Sequence, residues 1–290
     1  MGMKIQMVAE NAANFYRALT SPIRLMPDFL IIGAQKGGTT SLYYYLVEHP
    51  YIGQSSTKEL HYFENKYQRG LWWYKAHFPT IVEKYYIESR YKGTFITGEA
   101  SPSYLSHPHA PGRAAKLLPH TKLIALLRNP VDRAYSQYRH NVGLGFEKLS
   151  FEDAIISQEE RTTTEKEKLL ANEYHPSYTY KRYAYLERGI YADQLKAWFK
   201  YFPREQMLIL RSEDFFADPA SVCAQTLEFL HVPPMRIAAL EKEYIQYNKS
   251  KDTTSSQMSP QMRKYLIDYY QPHNVRLYEL LGRDFAWDCA

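Results

Sequence analysis

The run Gly33-Ala34-Gln35-Lys36-Gly37-Gly38-Thr39-Thr40 carries the clearest chemistry in this 290-residue chain. Glycines let backbone N–H groups converge, and a helix start adds a favourable dipole, so such a turn is a cradle for an anion. Lys36 places a cation inside that cradle. The hydroxyls of Thr39, Thr40 and Ser41 fall in the first helical turn, where they can donate to phosphate oxygens or cap the helix. The nucleoside-triphosphate pattern G-x-x-x-x-G-K-[ST] requires lysine where this chain has Thr39. The loop therefore reads as a phosphate cradle without that motif's chemistry.

Two further stretches hold reactive types. Arg128 closes an apolar run, Asn129 and Pro130 suit N-cap and first helical positions, and Ser136 falls on the second turn of the helix that follows. Arg128 and Ser136 can then clamp one phosphate, or Arg128 can make a strand-end salt bridge and Ser136 bond its own helix. In Lys-Glu-Leu-His-Tyr-Phe-Glu-Asn, residues 58–65, an extended backbone would put Glu59 and His61 on one side. Two proton acceptors would share that face.

The elements that must hold these residues follow from apolar patterning. Residues 28–32 read as a buried strand, and a helix runs from Thr39 to just before Pro50. Short apolar runs at 94–97, 122–127 and 206–210 suit parallel strands covered on both faces. Helices are expected over 110–118, 131–141, 151–157, 191–201, 220–230 and 260–281. The polar segment 158–168 reads as a solvated helix end or a surface loop. The fold class expected is α/β, a P-loop-type three-layer fold with a central parallel sheet flanked by helices on both faces. Residues 1–26 form a helical appendage with Val8, Ala12, Phe15 and Leu19 on its buried side, and residues 27–290 form one domain.

Composition narrows the class. With 45% hydrophobic and 23% charged positions, disorder, collagen and coiled coil are excluded. No apolar stretch approaches the ~20 residues of a membrane span, and the first residues lack the uninterrupted apolar core of a leader, so a soluble cytoplasmic protein without membrane insertion is expected. Cys223 and Cys289 are the two cysteines, with no paired-cysteine or histidine cluster nearby, which argues against a disulfide scaffold and structural zinc. A formal charge of +5 suits an anionic ligand without requiring nucleic acid. The chain has 27 tyrosines, and the clusters at 43–45 and 174–185 can pack under a polar surface or line a cleft.

The segment GAQKGGTTSL resembles the 5'-phosphosulfate loop of sulfotransferases that use 3'-phosphoadenosine 5'-phosphosulfate (PAPS), and KLIALLRNPVDRAYSQY resembles that family's 3'-phosphate signature. KELHYFEN resembles the segment carrying the catalytic carboxylate in the heparan-sulfate-type branch, with Glu59 at the matching position. TGEASPSYL resembles a segment near the acceptor site, although those relatives carry lysine where this chain has Ala100; Glu99 is a candidate partner for a local cation. Residues 187–220 resemble the family's helix, strand and helix framework, and NKSKDTTSS aligns with a basic loop over the nucleotide, which makes Lys249 or Lys251 a cover for the leaving group. The Gly-Arg-Arg-Tyr that follows in those relatives is replaced here by Asp252, Thr253, Thr254 and Ser255. The resemblance spans residues 27–285.

It implies sulfuryl transfer from PAPS to a hydroxyl or amine by in-line displacement, without a metal. Glu59 is the expected base, Lys36 the cation at the bridging oxygen, and His61 the alternative base or the group orienting Glu59. The expected donor site is Lys36, Gly37, Gly38, Thr39, Thr40, Ser41, Arg128, Ser136 and Lys251. Carbohydrate is the favoured acceptor, with lipid-like and carrier-tethered hydroxyls open; Lys181 and Arg182, among aromatics, can meet its acidic groups or form a lid. An atypical P-loop nucleotide kinase and a non-catalytic nucleotide- or glycan-binding module are the alternatives.

Overall fold

Apolar runs long enough to be buried on both faces become the strands of a wholly parallel sheet in the computed structural model, which describes residues 12–176, 178–234 and 257–287. The strands are β1 (Phe29–Gly33), β2 (Ile52–Gln54), β3 (Ile96–Ala100), β4 (Lys122–Leu127) and β5 (Met207–Arg211), in the order β2-β3-β1-β4-β5. Phe29 lies in register with Gly98 on one side and Lys122 on the other. From β1 the chain runs out to the β2 edge, returns through β3, then crosses to β4 on the far side of β1. The loops after β1 and β4 thus leave neighbouring strands where the winding reverses, the place at which open parallel sheets hold ligands.

The described helices are α1 (residues 12–20), α2 (Thr39–Val47), α3 (Gly70–Lys75), α4 (Ile81–Tyr91), α5 (Ala110–Leu117), α6 (Pro130–Gly143), α7 (Phe151–Ile156), α8 (Gln158–Ala171), α9 (Tyr178–Tyr183), α10 (Tyr191–Phe199), α11 (Ser212–Ala217), α12 (Pro219–Leu230) and α13 (Pro260–Leu281). Strand alternation sends Phe29 and Ile31 into one layer with Leu42 and Leu46 of α2 and Leu227 of α12. It sends Leu30 and Ile32 into the opposite layer with Ala114 of α5 and Leu195 and Trp198 of α10. The expected three-layer α/β architecture is therefore present.

Several expectations change. The third strand is shifted towards Ala100 and includes Gly98 and Glu99, residues that hide a strand in sequence. A Cβ at Gly98 would lie 2.6 Å from the Phe29 ring, so only glycine lets the two strands pack there. Among the described residues no ion pair reaches Glu99; it accepts from the hydroxyls of Tyr74 (2.8 Å), Tyr104 (2.9 Å) and Ser101 (2.7 Å). The polar run at 158–168 is part of the regular helix α8, with Thr162 and Leu169 buried. On α1, Phe15 and Leu19 are 67% and 64% exposed, because amphipathic spacing defines a stripe but does not supply an element to cover it. Ala12 is also exposed, and Val8 lies outside the described residues. Among the described residues no helix is long and apolar enough to cross a membrane.

Candidate active site

The glycine loop turns sharply between β1 and α2. Lys36 and Gly38 take positive φ values of 70° and 94°, and a Cβ at Gly37 would stand 2.6 Å from the Leu126 carbonyl oxygen, so the loop is pressed against β4. Gly38 is the N-cap of α2 and supplies no side-chain cap, so no capping side chain competes with an anion at the helix start. Lys36, Gly38, Thr39, Thr40 and Ser41 line one hollow, with Gly37 buried beneath it.

The end of β4 forms the next wall. Asn129 caps α6 as its sequence position requires, accepting from the N–H groups of Val131 (3.0 Å) and Asp132 (3.4 Å). Arg128 and Ser136 both line the hollow, and Arg128 Nη1 also donates to the Lys36 carbonyl at 3.1 Å, tying the β4 end to the glycine loop. Burial, helped by the Arg128 guanidinium, pulls the Lys36 ammonium down to about 8 against the opposing pull of Glu59.

Glu59 lines the same hollow from the other side. The backbone here is not extended: Glu59 and His61 sit at φ 62° and 55°. They meet nevertheless, with Glu59 Oε2 3.5 Å from His61 Nε2. The turn is pinned to the end of β3, since Glu59 N donates to the Ala100 carbonyl (3.1 Å) and His61 N to Ser101 Oγ (3.1 Å). Burial works to raise the Glu59 carboxyl, but the ammonium of Lys58, then His61 and Lys181, outweigh it and hold the group below its ordinary value.

Behind His61 stands Glu64, fully buried, which pairs with His61 Nδ1 and accepts from Lys181 Nζ at 3.0 Å. Burial opposes its ionisation, yet Lys181 and His61 bring it to about 2. Sequence reasoning passed over Glu64, although its place three residues after His61 is a usable signal. It also passed over His140 and Gln35, which line the hollow, and Arg188, whose buried Nη1 donates to Gln35 Oε1 (2.5 Å) and the Lys181 carbonyl (2.9 Å). The structure thus brings Lys36, Thr39, Thr40, Ser41, Glu59, Arg128 and Ser136 around one hollow, with His61 at its edge. Lys249 and Lys251 lie outside the described residues. Ala100, where a lysine was missed, is fully buried; the cations nearest the carboxylates are Lys58 and Lys181.

The sequence profile of the sulfotransferase domain matches residues 26–274. A membrane-associated sulfotransferase, kil1, of Dictyostelium discoideum is 29% identical over 90% of this chain and 66% of its own length. Human heparan sulfate glucosamine 3-O-sulfotransferase 3B1 is 27% identical over 91% of the chain and 65% of its own. Human bifunctional heparan sulfate N-deacetylase/N-sulfotransferase 3 is 34% identical over 89% and 30%. The chain thus spans just under two thirds, or less, of the length of these relatives. Among solved structures, a sulfotransferase from Alicyclobacillus acidocaldarius superposes with a TM-score of 0.65 at 29% identity, covering 91% of this chain and all of that one.

Proposed function

Since the chain belongs to the sulfotransferase domain family, we propose that it moves a sulfuryl group from PAPS to an acceptor hydroxyl or amine. The observation that carries this reading is the convergence of Lys36, Arg128 and Glu59 on a single hollow at the sheet's winding reversal. The open N–H groups at the start of α2 receive the 5'-phosphosulfate, and Arg128 with Ser136 receives the 3'-phosphate. A charged hydrogen bond of the Arg128 kind contributes about 1.5–3 kcal/mol.

Glu59 takes the proton of the acceptor as its oxygen or nitrogen bonds to sulfur. The bond from sulfur to the bridging oxygen breaks, its electron pair stays on the 5'-phosphate, and Lys36 neutralises the charge that develops there. Glu64 stands at His61 Nδ1 and Glu59 at its Nε2, so the ring bridges the buried carboxylate and the base. His61 therefore orients the base. A carbohydrate hydroxyl or amine is the acceptor suggested by the heparan sulfate relatives.

Calorimetric titration tests the donor. Adenosine 3',5'-bisphosphate should bind, while ATP with magnesium should not bind measurably. The reverse preference would replace this reading with the nucleotide kinase.

A further inference from the structure

Glu59, which lines the hollow, meets His61, and His61 meets Glu64, which lines a second space. A narrow recess bounded by Glu64, Lys181, Arg188 and His107 adjoins a larger cavity of about 340 Å³, and the two share Ser106, His107 and Tyr180. That volume falls within the range of ligand pockets, about 300–1,000 Å³. Its walls are mostly carbon, from Leu105, Pro108, Leu169, Ile190 and Ala197, and Tyr269 also lines it. The lining cation, Lys166, is already engaged by Glu187 at 3.0 Å, and the lining carboxylate of Asp193 by Arg276. Among the described lining residues, none offers an unpaired positive charge to a polyanion.

One polar group stands where the two spaces meet. His107 is 6% exposed, its Nδ1 accepts from the His109 N–H at 3.3 Å, and its buried Nε2 has no partner among the described residues. Burial pushes this ring down to about 4, so it is neutral near pH 7. With Nδ1 accepting, Nε2 carries the hydrogen and is an unused donor at a junction between polar and apolar surroundings.

We propose that the 340 Å³ cavity holds an uncharged apolar portion of the acceptor, with His107 donating to the polar junction and the reactive hydroxyl reaching Glu59 past Tyr180 and Lys181. The acceptor is then an amphiphile with a sugar-like or other hydroxylated head, rather than a polyanionic chain. For the fate of the hydroxyl this inference rests on the sulfotransferase reading.

Paired glucosides separate the two. Titrated without donor and below its micellar concentration, octyl β-D-glucoside should bind at least tenfold tighter than methyl β-D-glucoside. Filling the cavity with Ala197→Phe should reduce that preference to within threefold while leaving bisphosphate affinity and melting temperature close to the parent's. Leu170→Trp, at an exposed rim position, serves if Ala197→Phe fails to fold. With PAPS present the same preference should recur in KM. Equal affinity for the two glucosides, or a preference that survives filling, overturns the proposal. A parent chain that binds octyl glucoside selectively but not the bisphosphate would instead overturn the sulfotransferase reading.

Discussion

Lys36 is a cation held in a place that disfavours charge, and its behaviour with pH follows. With its proton leaving at about 8 in the free protein, the ammonium is complete below that value and is lost as pH rises through it. Because kcat/KM reports the free enzyme, donor kcat/KM should fall above about pH 8. Bound phosphosulfate favours the ammonium, so the same limb in kcat should lie higher. Lys36→Arg should remove it, since guanidinium keeps its proton; a limb that stays would assign it elsewhere. Glu59 behaves in the opposite sense: held below its ordinary value, it is available as a base across neutral pH and is lost only in acid. Glu59→Gln should lower turnover by roughly 10²–10⁴ with bisphosphate affinity little changed. An unaltered turnover would pass the role to His61, whose Nε2 is the neighbouring acceptor.

Elements position these groups through close backbone contact. Gly37→Ala would drive a methyl to 2.6 Å from the Leu126 carbonyl and 3.0 Å from that of Ala34. Both obstacles are main chain, so loop and strand must part, at a cost of about 1–3 kcal/mol. A lower melting temperature together with weaker bisphosphate binding is expected; loss of neither would mean that the loop tolerates displacement. The same contacts explain what could be read beforehand. The strand at 122–127 is a continuous apolar run buried on both faces, and sequence locates it to the residue. The strand ending at Ala100 is disguised by a glycine serving a neighbour's ring and a carboxylate serving three hydroxyls, and its limits were misplaced. The helices α3, α9 and α11, of six residues each, are too short for helical spacing to emerge, and the longer α4 buries no residue.

At the scale of the molecule, the proposed donor and acceptor halves differ in how far apart their parts lie in the chain. The proposed donor half is local: the glycine loop and the stretch around Arg128 each join one strand to one helix, so short motifs and their family resemblance single out Lys36, Thr39, Arg128 and Ser136 as candidates. The acceptor half is assembled at a distance. Lys181 reaches His61 across 120 positions (3.4 Å), and Arg188 reaches Gln35 across 153. No window of sequence contains such a pair; the spacing of His61 and Glu64 is local, but the Lys181 ion pair to Glu64 is not. The two halves are also rooted differently. The loops proposed to hold the nucleotide grow from β1 and β4, interior strands of the sheet, whereas Tyr180 and Lys181 ride on α9, which packs on α8. On the proposed reading, exchange of that peripheral segment would change which molecule is received while the machinery rooted in the sheet interior stays in place.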